Sequence, residues 1–331
     1  MNDRYFFNIF LVAFAFLLSA TGILSVLLKM LVKKGLYVFN YHSFNTLEND
    51  YWKFGSLFSS NYQDNFVKQL RFFHKHMKPA ESFDLDSLSL DRPHYMLTFD
   101  DGYKDNCQIA LPVLKRHAAP AVFFVATQPV GTDELLWYDK VRYFYENTKK
   151  GKGLRPVFHK KKLKARLEEI KRMEAPERQE CLREMEKQSP EHGPAMMGWE
   201  DIRKAHAQGV LIGSHTHTHP ILAHLDKDEQ RKEIQVASDM IKNNAHVTPF
   251  MFSYPEGDER AFGQDTIRLL ENAGFRYAFT TSDGVNLDVS SPFHLKRIGI
   301  KASDPIPVAA LRIIRASLIK GKPGTGQEDN R

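Results

Sequence analysis

The acidic pair Asp100-Asp101 is the feature that most limits what this 331-residue chain can fold into and do. An apolar run from Tyr95 to Leu97 predicts a buried strand, which passes directly into the two carboxylates and then into Gly102. Adjacent carboxylates repel each other, so they predict a metal ligand or a proton acceptor rather than a stabilising contact. The glycine after them favours a turn in which the backbone closely approaches another element.

The segments on either side of this pair alternate between predicted strands and predicted helices. Runs of β-branched and aromatic residues predict strands at 36–41, 95–99, 121–125, 210–212, 250–252 and 277–281. Apolar residues at helical spacing predict helices at 61–77, 107–117, 199–208, 226–244, 264–273 and 306–319. This alternation is typical of a parallel α/β sheet or barrel.

One long segment, residues 128–198, interrupts the alternation. Its middle part, residues 160–187, is dense in lysine, arginine and glutamate. Apolar residues recur there at helical spacing: Leu163, Leu167, Ile170 and Met173. We therefore predict an inserted helical region. Two roles stay open for this region. It forms a lid or a surface for a partner, or it is a solvated helical segment that takes no part in the chemistry.

The amino-terminal residues 5–32 are almost wholly apolar. About 20 such residues span a bilayer, so we expect an N-terminal membrane helix that anchors the chain. A cleaved signal peptide is the alternative, although the small-residue cleavage site near residues 19–21 is weak. The positive-inside tendency would keep Lys29, Lys33 and Lys34 on the cytoplasmic side of the membrane.

The composition limits the partners and the redox chemistry. The net charge of +6 fits either an acidic polymer or surface nearby or an ordinary solvated basic surface. We find no nucleic-acid-binding motif and therefore expect no nucleic-acid partner. The two cysteines, Cys107 and Cys181, lie far apart without a CxxC spacing, so they predict neither a zinc site nor a disulfide framework.

Three histidines alternate directly after the predicted strand at 210–212, at positions His215, His217 and His219. In an extended segment all three would face one way, and in a helix His215 and His219 would form an i, i+4 pair. Either geometry suits a divalent metal, which imidazole nitrogens and carboxylate oxygens bind together. A metal bound by two histidines and one aspartate keeps coordination positions open for water and substrate. The second aspartate then stays free to accept a proton.

These motifs carry a family resemblance. The stretch Thr98-Phe99-Asp100-Asp101-Gly102, followed by His215-Thr216-x-x-His219-Pro220, resembles the NodB-homology polysaccharide deacetylases, a carbohydrate esterase family. The stretches Tyr41-His42-Ser43 and Leu295-Lys296-Arg297-Ile298 resemble the branch that includes the poly-N-acetylglucosamine deacetylases. The likeness runs from about residue 36 to residue 300, outside much of the predicted insertion.

The resemblance implies a distorted (β/α) barrel of the NodB-homology type that removes N-acetyl groups from a glycan. It implies that Asp100 is the base and that Asp101, His215 and His219 hold a divalent metal, with zinc as the expected ion. His217 falls at a variable position of the motif.

Two departures from the family pattern stand out. The family's Arg-x-Pro-Tyr motif is replaced by Ser253-Tyr254-Pro255-Glu256, so we expect the arginine that steadies the base to be missing. The main-chain N–H of Glu256 is still expected to stabilise an oxyanion, because a backbone donor does not depend on the side chain. The late Leu-x-His motif has no clear counterpart; we expect His42 to be the general acid, with His294 as the rival.

We expect three parts: a membrane anchor or signal segment at 1–34, a deacetylase domain at 35–304, and a C-terminal helix with a flexible tail at 305–331. The expected function is metal-dependent hydrolysis of N-acetyl groups from an N-acetylglucosamine-containing polysaccharide, by a membrane-anchored protein with an extracytoplasmic catalytic domain. That location conflicts with the positive-inside tendency of the lysines. Two alternatives stay open: a catalytically weak glycan-binding or assembly protein, and a deacetylase of a lipid-linked sugar.

Overall fold

The structure of the chain is a computed structural model that describes residues 13–44, 62–147, 156–171, 173, 175–188 and 196–319. Within these residues eight parallel strands form one sheet. The strands are β1 (Gly35–Tyr41), β2 (Lys78–Pro79), β3 (Pro93–Phe99), β4 (Ala121–Val125), β5 (Leu211–Ser214), β6 (Met251–Ser253), β7 (Tyr277–Phe279) and β8 (Ile298–Gly299). Their spatial order is β7-β6-β5-β4-β3-β1-β8, and β2 pairs with β3 off this path.

Helices connect the strands, and they lie close to the predicted bounds. The α-helices of the described residues are α1 (Ala13–Ala20), α2 (Ile23–Leu31), α3 (Tyr62–His76), α4 (Leu111–Arg116), α5 (Trp137–Asn147), α6 (Pro156–Lys171), α7 (Ala175–Gln188), α8 (Trp199–Ala207), α9 (Lys227–Ala245), α10 (Gln264–Asn272) and α11 (Ile306–Leu318). One prediction needs refinement. The helix expected at 107–117 begins as a π-helical turn, Asn106–Ala110, before it continues as α4.

The sheet is curled, and a short segment links its outer strands. Leu295 donates its N–H to the carbonyl of Ala278 in β7 (3.0 Å), and Ile300 donates its N–H to the carbonyl of Asn40 in β1 (2.9 Å). The segment from Leu295 to Ile300 therefore bonds to both sides of the curl. This parallel, curled sheet with helices agrees with the predicted distorted (β/α) barrel.

Both faces of the sheet are buried, which explains why the strands read as continuous apolar runs. Leu36, Val38 and Met96 belong to one apolar cluster with residues of β4, β6 and β7. Phe39 points to the opposite face, where its ring stacks on Phe73 of α3 with centroids 4.0 Å apart. Alternate residues of β1 thus serve two apolar layers, as the period of a strand requires.

The amino-terminal helices lie against the domain. Within the described residues no single helix is long and apolar enough to cross a bilayer. Helices α1 and α2 would pass that test together by length and composition, but they meet at an angle of 91°. The predicted membrane helix begins in residues outside the described ranges, and it stays a prediction. The flexible tail predicted after α11 also falls outside them.

Helices α5, α6 and α7 occupy the segment predicted to be an insertion. They share a small apolar cluster of their own, built from Val141 and Phe144 of α5, Ile170 of α6, and Leu182 and Met185 of α7. The insertion therefore has a buried face in addition to its charged one.

Both cysteines of the chain, Cys107 and Cys181, are free thiols.

Candidate active site

The predicted site residues gather at the carboxyl ends of four strands. His42 follows β1, Asp100 and Asp101 follow β3, His215 follows β5, and the turn after β6 carries Glu256. They line a cavity of about 240 Å³. Its other lining residues are Tyr103, Tyr138, Arg142, Leu167, Lys171, His219, Tyr254 and Thr281. Carboxyl ends of parallel strands meet at one edge of a curled sheet, which brings these distant residues together.

Three of them form a cluster of possible metal ligands. The Nε2 atoms of His215 and His219 each lie 3.4 Å from Oδ1 of Asp101, and all three side chains are buried. One ligand atom from each residue lies within 4.8 Å of the others. The structure therefore brings together the three residues that the sequence singled out as ligands.

The cluster fits a divalent cation. Asp101 Oδ1 is buried and has no hydrogen-bond partner among the described residues, which is costly for a carboxylate oxygen unless a cation binds there. His215 is oriented for this task, because its Nδ1 lies 2.7 Å from the carbonyl oxygen of Ser253 and its Nε2 faces the carboxylate. Burial raises the pKa of Asp101, but His215 and His219 outweigh burial and hold the pKa well below its usual range.

The histidine loop is neither extended nor helical, so both geometries considered for it are wrong. Thr216 (φ 66°) and His219 (φ 60°) adopt the left-handed conformation, which non-glycine residues rarely adopt. The N–H of His219 donates to Oγ1 of Thr216 at 3.1 Å, which turns the chain back. His215 and His219 consequently face the same carboxylate, with ring centroids 4.8 Å apart.

Glu233 of α9 anchors this loop, a role that no motif in the sequence indicates. Its carboxylate accepts hydrogen bonds from the main-chain N–H groups of His217 (2.9 Å) and Thr218 (2.8 Å) and from the Thr218 hydroxyl (2.8 Å). The His217 ring points elsewhere, with its Nδ1 2.9 Å from Oγ1 of Thr127. His217 is therefore no ligand in this arrangement, in agreement with its variable position in the motif.

The expectation that the base lacks an arginine is wrong. The Nη1 group of Arg297 donates to Oδ1 of Asp100 at 2.8 Å, and both side chains are buried. Ser253, which stands where the family motif has arginine, accepts a hydrogen bond from Nη2 of Arg297 at 2.9 Å and donates to Oδ2 of Asp100 at 3.3 Å. Arg297 lies in the stretch Leu295-Lys296-Arg297-Ile298, which resembles the family. Because it is 197 residues away from Asp100 in the sequence, their contact could not be predicted from a local motif.

The charge of Arg297 decides the ionisation of Asp100. Burial raises the pKa of Asp100, while the charge of Arg297, the neighbouring His215 and the Arg297 hydrogen bond lower it by more, so the pKa lies below its usual range. Asn40 and Thr98 hold the guanidinium in place, since it donates to their side-chain oxygens at 3.1 and 3.3 Å. Asp100 is therefore a buried, ionised carboxylate that can accept a proton.

Glu256 lies on the wall of the same cavity. Its backbone is left-handed (φ 60°), and its main-chain N–H donates no hydrogen bond to another residue of the described ranges. Its carbonyl accepts a hydrogen bond from Oγ1 of Thr281 at 2.6 Å, and its carboxylate pairs with Nζ of Lys171 at 2.9 Å. The turn thus presents an N–H group that can serve an oxyanion.

The two candidates for the general acid are placed differently. His42 is exposed and lines the cavity near the aspartates. His294 is not among the lining residues; its ring lies 5.5 Å from that of Phe262. The structure therefore brings His42 to the site and leaves His294 outside it.

The insertion contributes contacts that sequence reasoning missed. Tyr103, which follows Gly102, donates its hydroxyl to Oδ2 of Asp139 at 2.7 Å. Trp137 donates its indole N–H to the carbonyl of His219 at 3.2 Å, and the Tyr138 ring meets the His219 ring edge-on at 5.0 Å. The start of α5 therefore contacts both ligand loops, which favours a role at the site over a solvated excursion.

Gly102 behaves as the sequence predicts. Its φ is 90°, and a Cβ atom built there would lie 3.3 Å from Cγ1 of Val125 in β4. The turn after the acidic pair therefore needs both the left-handed conformation and the small size of glycine.

Comparison with known proteins identifies one family of enzymes. The sequence profile of the family described as polysaccharide deacetylase matches residues 88–278. The curated protein YxkH of Bacillus subtilis (strain 168), whose name places it among the polysaccharide deacetylases, is 23% identical over 205 residues, or 62% of this chain. The match spans 50% of that relative's length.

Solved structures share the fold. The Streptococcus pyogenes deacetylase PplD, solved in complex with acetate, has a TM-score of 0.54 at 16% identity, covering 86% of this chain and 98% of that one. IcaB from Ammonifex degensii has a TM-score of 0.53 at 19% identity, covering 86% of this chain and 97% of that one. At such low identities the likeness shows a common fold.

Proposed function

Because the chain belongs to the polysaccharide deacetylase family, a family of hydrolases, we propose that it hydrolyses N-acetyl groups of a glycan with the help of a divalent metal. The observation that carries this proposal is the arrangement at the cavity. Asp101, with its buried and unpartnered oxygen, faces His215 and His219, and beside it Asp100 is held ionised by Arg297. One carboxylate is set up as a ligand and the other as a base.

The proposed substrate is a polysaccharide that contains N-acetylglucosamine, and the proposed ion is zinc. The sequence stretches around His42 and Arg297 support the substrate, because they resemble the branch of the family that acts on poly-N-acetylglucosamine. Two imidazoles and one carboxylate are a donor set that zinc uses at catalytic sites and that leaves room for water and substrate.

The chain's own residues divide the proton transfers between them. A divalent cation held by Asp101, His215 and His219 would polarise the acetamide carbonyl and make water more acidic. Asp100 accepts the proton of the attacking water, with Arg297 fixing its position. The N–H of Glu256 donates to the oxyanion of the tetrahedral intermediate, and His42 protonates the departing amine.

Acetate release from N-acetylglucosamine oligomers tests this proposal. We expect the Asp100→Asn protein to lose about 100-fold or more of kcat, because its amide cannot accept the proton. Asp228→Asn, an exposed aspartate of α9, is the matched control and should behave as wild type. A chelator should abolish release, and added zinc should restore it. Unchanged release by Asp100→Asn would refute the proposed base.

The two alternatives predict different results. The first alternative, a catalytically weak glycan-binding protein, rests on the missing arginine and on the unclear general acid. The Arg297 contact removes the first of these two reasons. This alternative predicts glycan binding without acetate release, even with zinc present. A deacetylase of a lipid-linked sugar predicts release from the lipid-linked form and none from the free polymer. A substrate panel that includes both forms separates all three functions.

The location and the domain limits remain proposals as well. We propose that residues 1–34 attach the chain to a membrane, that residues 35–304 form the extracytoplasmic catalytic domain, and that residues 305–331 form a C-terminal helix and tail. The apolar sequence of residues 5–32 supports the attachment. Protease protection of the intact chain in cells would determine the side of the membrane.

A further inference from the structure

The exposed large hydrophobic side chains of the described residues are concentrated in one region. They are Phe14, Leu17, Ile23, Val26, Met30, Leu287, Leu318 and Ile319. Six of them belong to α1, α2 or the end of α11. Ile319 directly follows α11, and Leu287 lies next to Gly35 at the start of β1. We call this set the apolar face. Contiguous exposed apolar surface on a soluble domain marks a site of interaction.

Helix α2 is apolar on two sides. Leu24 and Leu28 are buried, and they belong to the same apolar cluster as residues of α11. Ile23, Val26 and Met30 form the other stripe, with exposed fractions of 47%, 56% and 61%. A helix that is apolar all round is normally covered all round, yet only one side of α2 is covered by the domain.

The apolar face and the catalytic cavity lie at opposite ends of β1. The hydroxyl of Tyr37 accepts a hydrogen bond from the N–H of Lys33 (3.2 Å) and lies 3.3 Å from Oγ of Ser317, so α2 and α11 both end near the start of this strand. The strand's other end leads into His42, which lines the cavity. A seven-residue strand is about 20 Å long.

We propose that the apolar face lies in the headgroup–acyl boundary of a lipid bilayer, so that the cavity opens toward water. Charge supports this partner, because Lys29, Lys33 and Lys34 are exposed beside the face and would meet anionic headgroups. Continuity supports it too, since the apolar sequence extends from α1 back to residue 5. The proposal extends the membrane attachment proposed above from an anchor to a defined orientation, and it does not depend on the deacetylase chemistry.

Vesicle flotation of the full chain tests the contact. The vesicles contain phosphatidylcholine with phosphatidylglycerol, and the variant is Val26→Ser/Met30→Ser. We expect its vesicle affinity to fall about tenfold or more, because two apolar side chains no longer enter the lipid. Gln235→Ser/Asn243→Ser replaces two exposed uncharged side chains on α9 and serves as the matched control, because it leaves the net charge unchanged. Thermal unfolding verifies that each variant is folded.

Fluorescent labels test the orientation directly. In a Cys181→Ser background, a label is attached to Met30→Cys, Leu287→Cys or Thr281→Cys. Cys107 is buried, and burial also raises the pKa of its thiol to about 12, so we expect this cysteine to stay unlabelled. Lipids that carry a spin label should quench the first two labels several-fold more than the label at position 281, which lines the cavity.

Two results would overturn the proposal. One is equal quenching at the three positions. The other is a dimer in solution that dissociates in Val26→Ser/Met30→Ser while the wild type does not bind vesicles, which would make a second copy the partner. Acetate release from soluble oligomers is measured on the unlabelled wild type and on Val26→Ser/Met30→Ser, because a label at position 281 would enter the cavity. Absence of release from the wild type would count against the proposed function alone, because quenching reports only the orientation.

Discussion

Arg297 is the residue on which the charge of Asp100 depends, since among the neighbouring groups its charge does most to lower the carboxyl's pKa against the effect of burial. We expect Arg297→Met to raise that pKa, so that a larger fraction of Asp100 is protonated at a given pH. The acidic limb of the kcat/KM profile should then move to higher pH. The free energy of unfolding should fall by about 3–5 kcal/mol, because a buried carboxylate loses its partner.

The pH profile and urea unfolding measure these two effects. Arg297→Lys is the control, because it keeps the charge but loses the second hydrogen-bonding arm that reaches Ser253. Its acidic limb should lie between those of the wild type and Arg297→Met. If the acidic limb of Arg297→Met lies at the same pH as that of the wild type, another group determines the ionisation of Asp100.

At the scale of elements, α9 supports the ligand loop through Glu233. Glu233→Ala removes the acceptor of three hydrogen bonds from His217 and Thr218. We expect zinc affinity to fall about 10- to 100-fold, as is usual when a group that orients metal ligands is lost. Competition with a chromophoric chelator measures the affinity without reference to activity. Asp239→Ala, on the same helix, is the control, and equal affinities for the two variants would contradict the role of Glu233.

Helix α6 meets the Glu256 turn through the Lys171–Glu256 ion pair. Lys171→Met leaves the Glu256 main chain in place but removes its link to the insertion. We expect kcat/KM for the oligomers to fall several-fold, while stability changes by less than about 1 kcal/mol, since the Glu256 side chain is 37% exposed. The double variant Lys171→Glu/Glu256→Lys restores the pair with reversed charges and should recover part of the loss. If kcat/KM of the double variant is as low as that of Lys171→Met, the ion pair does not link α6 to the Glu256 turn in the way proposed.

The elements were more predictable than the contacts between them. Six of the eight strands could be placed from the sequence because both faces of the sheet are buried, so each of them reads as an unbroken apolar run. The two-residue strands β2 and β8 are too short to form such a run and were not predicted. The ligands could be named because their motifs are local. The left-handed turns at Thr216 and His219, and the long-range partners Arg297 and Glu233, could not be predicted, since tertiary contacts rather than local pattern determine them.

At the scale of the whole molecule, the proposed metal couples the active site to stability. A cation that binds the folded chain and not the unfolded one stabilises it by about 2.7 kcal/mol at a hundred times its dissociation constant. We therefore expect zinc to raise the midpoint of thermal unfolding and a chelator to lower it. In Asp101→Asn zinc should have a much smaller effect. An identical zinc response in that variant would place the ion elsewhere.

The segment from Leu295 to Ile300, which links the two sides of the curled sheet, also sets a time order. A chain is made from its amino terminus, so Asp100 leaves the ribosome 197 residues before Arg297 does. Until that segment docks, the interior of the sheet holds a carboxylate without its cation. The proposed base therefore acquires its cation only after the segment from Leu295 to Ile300 has been made, and we expect a polypeptide released before this segment to be inert toward acetylated glycans.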